Sequence, residues 1–378
     1  MPLFSTSFTA FCPQNINLPD FALYFLSNHL KFPFTLFLIM YKISLITGDG
    51  IGPELSNSAV SILNTINDKL DLKFDITKLH AGDSSLKETG KALPDETISA
   101  IKKSDACLKA PVGESAADVI VVLRRILDLY ANIRPAKSYP HMPALRDDID
   151  MVIVRENTED LYTGKEFSLG DSAVALRIIS EYASKRIAKY AFETAKQRNS
   201  MKKVTCVHKS NVMQLTDGLF AKSCSEVAKN YPDILFEQMY VDACAMNLIR
   251  QPEQFDVIVT TNLFGDILSD ESSQVVGGLG MAPAANIGDN FALFEPVHGA
   301  AFDIAGKNVA NPSSFLLSIK MMLDWLGAKH NDSKCIAVGK KLESVIFDLV
   351  KSGVKTKDIG GDKSTSEFTQ EIINRLKN

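Results

Sequence analysis

The sequence lacks the signatures that most quickly assign a function. Its first glycine cluster, Gly48-Asp-Gly-Ile-Gly-Pro53-Glu54, follows an apolar run and opens a helical pattern. The spacing is G-x-G-x-G-P rather than G-x-G-x-x-G, so the dinucleotide fingerprint fails. No Gly-Lys-Ser/Thr follows, which excludes a phosphate-binding P-loop. The motif by itself indicates a tight turn into a helix with Pro53 in the first turn. The six cysteines (Cys12, Cys107, Cys206, Cys224, Cys244 and Cys335) form no CxxC or other metal-type spacing. Several sit in apolar stretches, as reduced core thiols do, and a reducing, cytoplasmic location is expected. There is no excess of one charge: 41 basic against 45 acidic side chains leave a net charge of −4. That excludes bulk attraction to nucleic acid or an anionic membrane, so any anionic ligand needs a local cationic cluster. The chain also lacks repeats and low-complexity tracts. What remains is an ordinary soluble globular composition, 46% hydrophobic and 23% charged over 378 residues. This length suits two domains, or one large α/β domain with a second lobe.

Residues 1–39 differ from the rest. Phe is frequent, and Asp20 and Lys31 are the only charged side chains. The apolar run Phe32–Met40 is too short to cross a membrane. The basic start and small-residue cleavage site of a signal peptide are absent, as is the Arg-rich pattern of a transit peptide. From Met40 onward, strand-like runs alternate with helical ones. Strands are predicted at Lys42–Thr47, Phe74–Leu79, Ala106–Ala110, Asp150–Val154, Lys203–His208, Phe236–Val241 and Asp256–Thr261. Helices are predicted at 53–70, 119–129, 181–197, 217–230, 313–327 and 336–352. The alternation indicates an α/β architecture. The proline-rich stretch Pro135–Pro143 is expected to cross between lobes, and Gly277–Pro283 to return.

Charged residues recur at the ends of apolar strands, where α/β sites form. Arg155 ends Val152-Ile-Val, with Tyr162 following. Lys209 ends Val204-Thr-Cys-Val-His, and Asp242 closes Met239-Tyr-Val. After Val257-Ile-Val-Thr-Thr, a helix is predicted from Asp266. Asp266 and Asp270 then lie four residues apart on one helix face. Like charges at that spacing repel, and a hard divalent cation would relieve the repulsion. Taken singly, each has a plainer reading: salt-bridged arginines, a half-buried tyrosine, a snorkelling lysine, helix-capping acids. Four such residues at strand ends point instead to a shared site. Arg124 and Arg134, in Leu123-Arg-Arg-Ile-Leu-Asp-Leu-Tyr-Ala-Asn-Ile-Arg-Pro135, are suited to bidentate carboxylate recognition. Phe294–Pro312 reads as a long loop of small residues that a nucleotide backbone can approach.

Together these segments resemble the β-decarboxylating dehydrogenases, the family of isocitrate, 3-isopropylmalate and homoisocitrate dehydrogenases. The resemblance spans about residues 41–378. It implies a two-lobed α/β fold with a mixed central sheet, not a Rossmann fold. Residues 40–129 with 278–378 would form a large nucleotide-binding domain. Residues 130–277 would form a small domain holding the metal ligands and the dimer interface, and 1–39 a non-family extension. By resemblance, Arg124, Arg134 and Arg155 clamp the carboxylates of a 2-hydroxy acid, a substituted malate. Asp242, Asp266 and Asp270 match the Mg²⁺ or Mn²⁺ ligands, Lys209 the base, and Tyr162 the acid. Lys209 and Asp242 would come across a homodimer interface. Glu295, His298, Gly299, Asp303 and Asn311 fall in the matching nucleotide loop. Asp303 at the ribose position repels a 2′-phosphate, which implies NAD. Relatives acting on isocitrate commonly place Ser and Asn before the arginine matched by Arg124. Here Asp118 and Ile120, followed by Val121, stand there. Ile120 and Val121 suit a branched alkyl group better than a third carboxylate. This implies 3-isopropylmalate, oxidised and decarboxylated to 4-methyl-2-oxopentanoate in leucine biosynthesis. Homoisocitrate, isocitrate and broad specificity remain the alternatives, as does a non-catalytic regulatory subunit, although such subunits tend to lose the Tyr, Lys or Asp retained here.

The expected native start is Met40. Intact mass of the protein from its own cells should match a chain beginning there. A mature N-terminus at residue 1 or 2 would contradict this.

Overall fold

The computed structural model describes residues 40–378. The stretch 1–39, with the expectations placed on it, lies outside the described residues. The chain begins with β1 (Met40–Ile46), α1 (Gly52–Lys69), β2 (Lys73–Leu79), α2 (Asp83–Thr89), α3 (Asp95–Ile101) and β3 (Ala106–Lys109). Next come α4 (Ala116–Ile126), β4 (Ala131–Lys137), β5 (Asp150–Glu156) and a one-turn 3₁₀ helix at Asp160–Thr163. A short hairpin, β6 (Glu166–Leu169) and β7 (Ser172–Ala175), leads to α5 (Glu181–Arg198), β8 (Lys203–His208), α6 (Thr216–Ala228) and β9 (Leu235–Tyr240). Then follow α7 (Val241–Arg250), β10 (Val257–Thr260), α8 (Asn262–Val275), β11 (Pro283–Ile287) and β12 (Ala292–Pro296). Helices α9 (Ser313–His330), α10 (Ser333–Lys351) and α11 (Thr365–Lys377) complete the described chain.

Ten strands form one mixed sheet in the order β2-β1-β3-β12-β11-β4-β5-β10-β8-β9. Its two flanks are parallel. They are joined by an antiparallel centre, β12-β11-β4-β5. The parallel strands β3, β8 and β10 are near-continuous apolar runs because helices cover both faces. Helix α5 starts where the Ser180 side chain accepts from the Ala183 amide, and ends at Asn199 in the left-handed region.

The structure corrects three of the predicted boundaries. Pro135 lies inside β4, opposite Val152, rather than opening a crossing. Pairing of β4 with β11 stops at Ile133, so Pro135 occupies a stretch unpaired on one side, where a proline is tolerated. Helix α8 begins at Asn262, not Asp266, and contains Gly265. A Cβ at Gly265 would overlap the Arg155 side chain, so this glycine marks close packing rather than a helix break. The segment Phe294–Pro296 belongs to β12, at the sheet centre, not to a loop.

A buried polar chain crosses the centre of the sheet. Lys109 Nζ on β3 donates to Glu295 Oε2 on β12 at 2.7 Å. Glu295 Oε1 accepts from Asn286 Nδ2 on β11 at 2.7 Å. Asn286 Oδ1 in turn accepts from Asn132 on β4 (2.8 Å), Asn157 (2.9 Å) and Arg124 Nε (2.9 Å). Burial alone would raise the Glu295 pKa, but Lys109 and Arg124 outweigh it and hold the carboxyl at about 2. An ionised Glu295 is therefore what permits two cations to be buried beside it.

Removing the charge strands those cations. Glu295→Gln should lower the unfolding free energy at pH 7 by about 3–5 kcal/mol, measured by denaturant titration at fixed protein concentration. Because the folded pKa is depressed, this stabilisation is present above the unfolded value of roughly 4.3. It disappears as pH falls towards about 2. The gap between the two proteins should therefore close over that window. An equal gap at pH 7 and pH 2 would contradict the account.

Candidate active site

Three arginines converge where α4 meets the antiparallel centre. Arg124 comes from the last turn of α4, Arg134 from β4 and Arg155 from β5, and all three are buried. The register places Arg155 opposite Asn132 on one side and Thr260 on the other. Arg124 lies 3.5 Å from Glu295. Arg134 Nε donates to Asn132 Oδ1 at 2.8 Å, and its Nη1 to Ser269 Oγ at 2.8 Å. Arg155 donates from Nε and Nη2 to Asn262 Oδ1, at 3.0 and 2.7 Å. Burial, and then the charge of Arg155, pull Arg124 down to about 10, still charged at neutral pH. Burial and Arg155 lower Arg134 as well.

Asp266, in the second turn of α8, is the focus of this cluster. It pairs with Arg155, lies 3.4 Å from Arg134, and accepts the Tyr162 hydroxyl. Burial favours its neutral form, but Arg155 and Arg134 outweigh burial and lower its pKa. Asp270, one turn on, lies 3.2 Å from Arg134. Burial raises its pKa, Arg134 opposes, and neighbouring Asp266 adds to the rise. The Tyr162 ring sits under Arg155, with the guanidinium carbon 5.0 Å from its centroid. Burial raises the tyrosine pKa despite Arg155, and the bond to Asp266 reinforces the rise. Tyr162 therefore holds its proton at neutral pH.

These groups border a cavity of about 270 Å³. Ile120, Val121, Arg124, Arg134, Arg155, Tyr162, Asp266, Glu295, His298 and Gly299 all line it. Ile120 and Val121 form an apolar wall one turn before Arg124 on the same helix. Other expected residues lie elsewhere. Lys209 and Asp242 pair with each other at 2.7 Å and do not line the cavity. The bond to Lys209 is the main reason the Asp242 pKa is lowered. Asp242 lies in the first turn of α7, directly after β9. Asp303 is exposed in a turn. Asn311 donates to Asp358 at 3.0 Å and accepts from the Ser313 amide at 3.0 Å, at the start of α9. Glu295 faces the cavity with both oxygens engaged by protein groups.

The site depends on residues that the motifs did not single out as partners. Lys109 carried a usable signal, a lysine ending the fully buried strand Ala106–Lys109. Asn132, Asn286 and Asn262 carried none, because a neutral amide looks alike in a core and in a turn.

Asp266 and Asp270 fit a hard divalent cation in donor chemistry. The Asp270 side chain is 58% exposed and has an oxygen available, whereas the Asp266 oxygens are engaged by Arg155, Arg134 and Tyr162. Among the described residues, no three His, Cys, Asp or Glu side chains gather to hold a metal by themselves. A Mg²⁺-type ion held by one or two carboxylates, completed by water and substrate oxygens, is compatible with that. For a nucleotide, a Cβ added at Gly299 would meet nothing within 4 Å, so the backbone there is open to close approach.

Known proteins resemble this chain over most of its length. A 3-isopropylmalate dehydrogenase from Sulfurisphaera tokodaii is 52% identical over 89% of this chain and 99% of its own length. A homoisocitrate dehydrogenase from Methanocaldococcus jannaschii is 45% identical over 89% of this chain and 98% of its own. The crystal structure of isocitrate dehydrogenase from Methylococcus capsulatus superposes with a TM-score of 0.83 at 38% identity, covering 90% of this chain and all of that one. The family profile described as isocitrate/isopropylmalate dehydrogenase matches residues 42–372, and the chain belongs to that family.

Proposed function

We propose that the protein carries out the NAD-linked, divalent-metal-dependent oxidative decarboxylation of (2R,3S)-3-isopropylmalate to 4-methyl-2-oxopentanoate and CO₂. The carrying observation is the cavity wall: three buried arginines stand beside Ile120 and Val121. The arginines match a dianionic malate core, and bidentate pairing orients it. The apolar pair matches a branched alkyl substituent. A third carboxylate placed there would lose water without gaining a partner.

Each residue then has a task. Arg124, Arg134 and Arg155 bind and orient the two carboxylates, and Tyr162 delivers its phenolic proton to carbon after CO₂ leaves. Lys209 accepts the proton of the C2 hydroxyl, directly or through water. A divalent cation at Asp266 and Asp270, completed by Asp242, supplies Lewis-acid polarisation when bound. NAD supplies the hydride acceptor, and the exposed Asp303 beyond Gly299 favours a free ribose over a 2′-phosphate.

The assembly is a homodimer in which one copy's Lys209 and Asp242 complete the other's cavity. Their separation from the cavity in one chain supports this. So do the exposed apolar side chains Met246 and Ile249 on α7, Ile267 on α8, and Phe167 and Leu169 on the β6–β7 hairpin. Residues 40–129 with 278–378 act as the nucleotide-binding domain, and 130–277 as the domain of metal and interface. The sheet order favours that division, since β1, β2, β3, β11 and β12 lie to one side of β4, β5, β8, β9 and β10. No described helix is long and apolar enough to cross a membrane. The buried free thiols at Cys107, Cys206, Cys224, Cys244 and Cys335 suit the cytoplasm.

Purified enzyme with NAD and Mg²⁺ or Mn²⁺ should form NADH from 3-isopropylmalate. Its kcat/KM should exceed that for isocitrate or homoisocitrate by at least about 10-fold. Preference for a tricarboxylate would overturn the substrate. No NADH from any of the three would overturn the reaction.

A further inference from the structure

Outside the cavity lies a buried acid–base–acid cluster to which the mechanism assigns no role. Arg177 lies between the β6–β7 hairpin and α5, with its side chain 12% exposed. It bridges Asp160 (Nε–Oδ1 2.8 Å) and Asp217 (Nη1–Oδ1 3.1 Å), both acids having fully buried side chains. It also donates to Thr261 Oγ1 at 2.7 Å and covers the Phe264 ring at 4.6 Å. Burying one cation between two anions is costly unless the geometry fixes something in return.

What it touches leads to both halves of the proposed chemistry. Asp160 opens the 3₁₀ turn that carries Tyr162 and has a φ of 70°, a strained value for a side-chain residue. Its Oδ2 also accepts from the Leu263 amide (3.0 Å), in the first turn of the helix that carries Asp266 and Asp270. Asp217 Oδ2 accepts from the Lys209 amide at 2.6 Å. Its Oδ1 is buried with no hydrogen bond among the described residues, so the charge of Arg177 is what compensates it. One guanidinium thus ties the Tyr162 turn and the start of α8 to the backbone of Lys209.

We propose that Arg177 is a positioning residue that sets the proton-transfer groups Tyr162 and Lys209 in register, while contacting neither. The inference rests on the roles given to those two residues above. In a homodimer with shared sites, one Arg177 would align Tyr162 for its own cavity and Lys209 for the second copy's. The arginines that hold substrate hang on other partners: Glu295 and Asn286, Asn132 and Ser269, Asn262. Loss of the hub should therefore appear in kcat and not in KM.

The test uses Arg177→Lys, which keeps the charge and loses the fork, and Asp217→Asn. The latter keeps the side-chain shape and an acceptor for the Lys209 amide, so it preserves the fold if Arg177→Lys does not. In the full-length enzyme, kcat per folded site should fall about 10- to 100-fold, the cost of an ångström-scale misplacement. KM for 3-isopropylmalate should stay within about 3-fold, since substrate binding is left intact. Hydrogen exchange at the Lys209 and Leu263 amides should quicken in Arg177→Lys. A kcat within about 2-fold of wild type in a folded variant, or a loss confined to KM, would overturn the proposal. Inactivity of the unmodified enzyme would instead overturn the reaction assigned to it. The amide exchange would then still decide whether Arg177 holds the two segments.

Discussion

Three guanidinium groups buried within one cavity wall are the constraint around which the rest of this structure is arranged. Arg124, Arg134 and Arg155 repel one another, and each is stripped of water. Such a cluster persists only where anions and acceptors are held against it. Glu295 answers Arg124 from the sheet, Asp266 answers Arg155 and Arg134 from α8, and asparagine carbonyls and the Ser269 hydroxyl accept from further guanidinium donors. The antiparallel centre of the sheet exists at this point. It brings β12, β11, β4 and β5 side by side, so that their polar side chains meet.

Under the proposed function, that arrangement gives the cavity its selectivity. It holds more positive charge than the protein neutralises within it, and a dianionic substrate is the natural complement. The same field lowers the pKa of Asp266 against burial, whereas at Asp270 and Tyr162 burial prevails over the arginines and raises it. An ionised carboxylate and a protonated phenol therefore coexist within one hydrogen bond of each other. Under the proposed function, Ile120 and Val121, which line the cavity, would add the discrimination that charge cannot, by leaving a third carboxylate without a partner.

Arg155 and Lys209 were legible in the sequence because charge at the end of an apolar strand is conspicuous. Strand Lys203–His208 falls where its pattern predicts, and Lys209 follows it. The neutral scaffold was not legible. Asn132, Asn286 and Asn262 have no pattern that separates a buried acceptor from a turn residue. Strands β11 and β12 were invisible because Pro, Ala and Gly dominate their surroundings, and their central position removes the polar alternation of an exposed strand. Gly265 misled in a specific way: it signals a break locally, yet the reason for it is the side chain of Arg155, far away in sequence. Arg177 illustrates the same limit, since its two acids lie 17 and 40 residues away.

The central claim is that the arginine cavity is half of a site and that a second copy supplies Lys209 and Asp242. Subunit complementation tests it most directly. Asp242→Asn and Asp270→Asn enzymes, each inactive alone, are unfolded, mixed in equal amounts and reassembled. Random pairing makes half of the dimers mixed, and each mixed dimer carries one intact site of its two. The account predicts recovery of about a quarter of wild-type activity. Reassembled dimers that stay as inactive as their parents would contradict it.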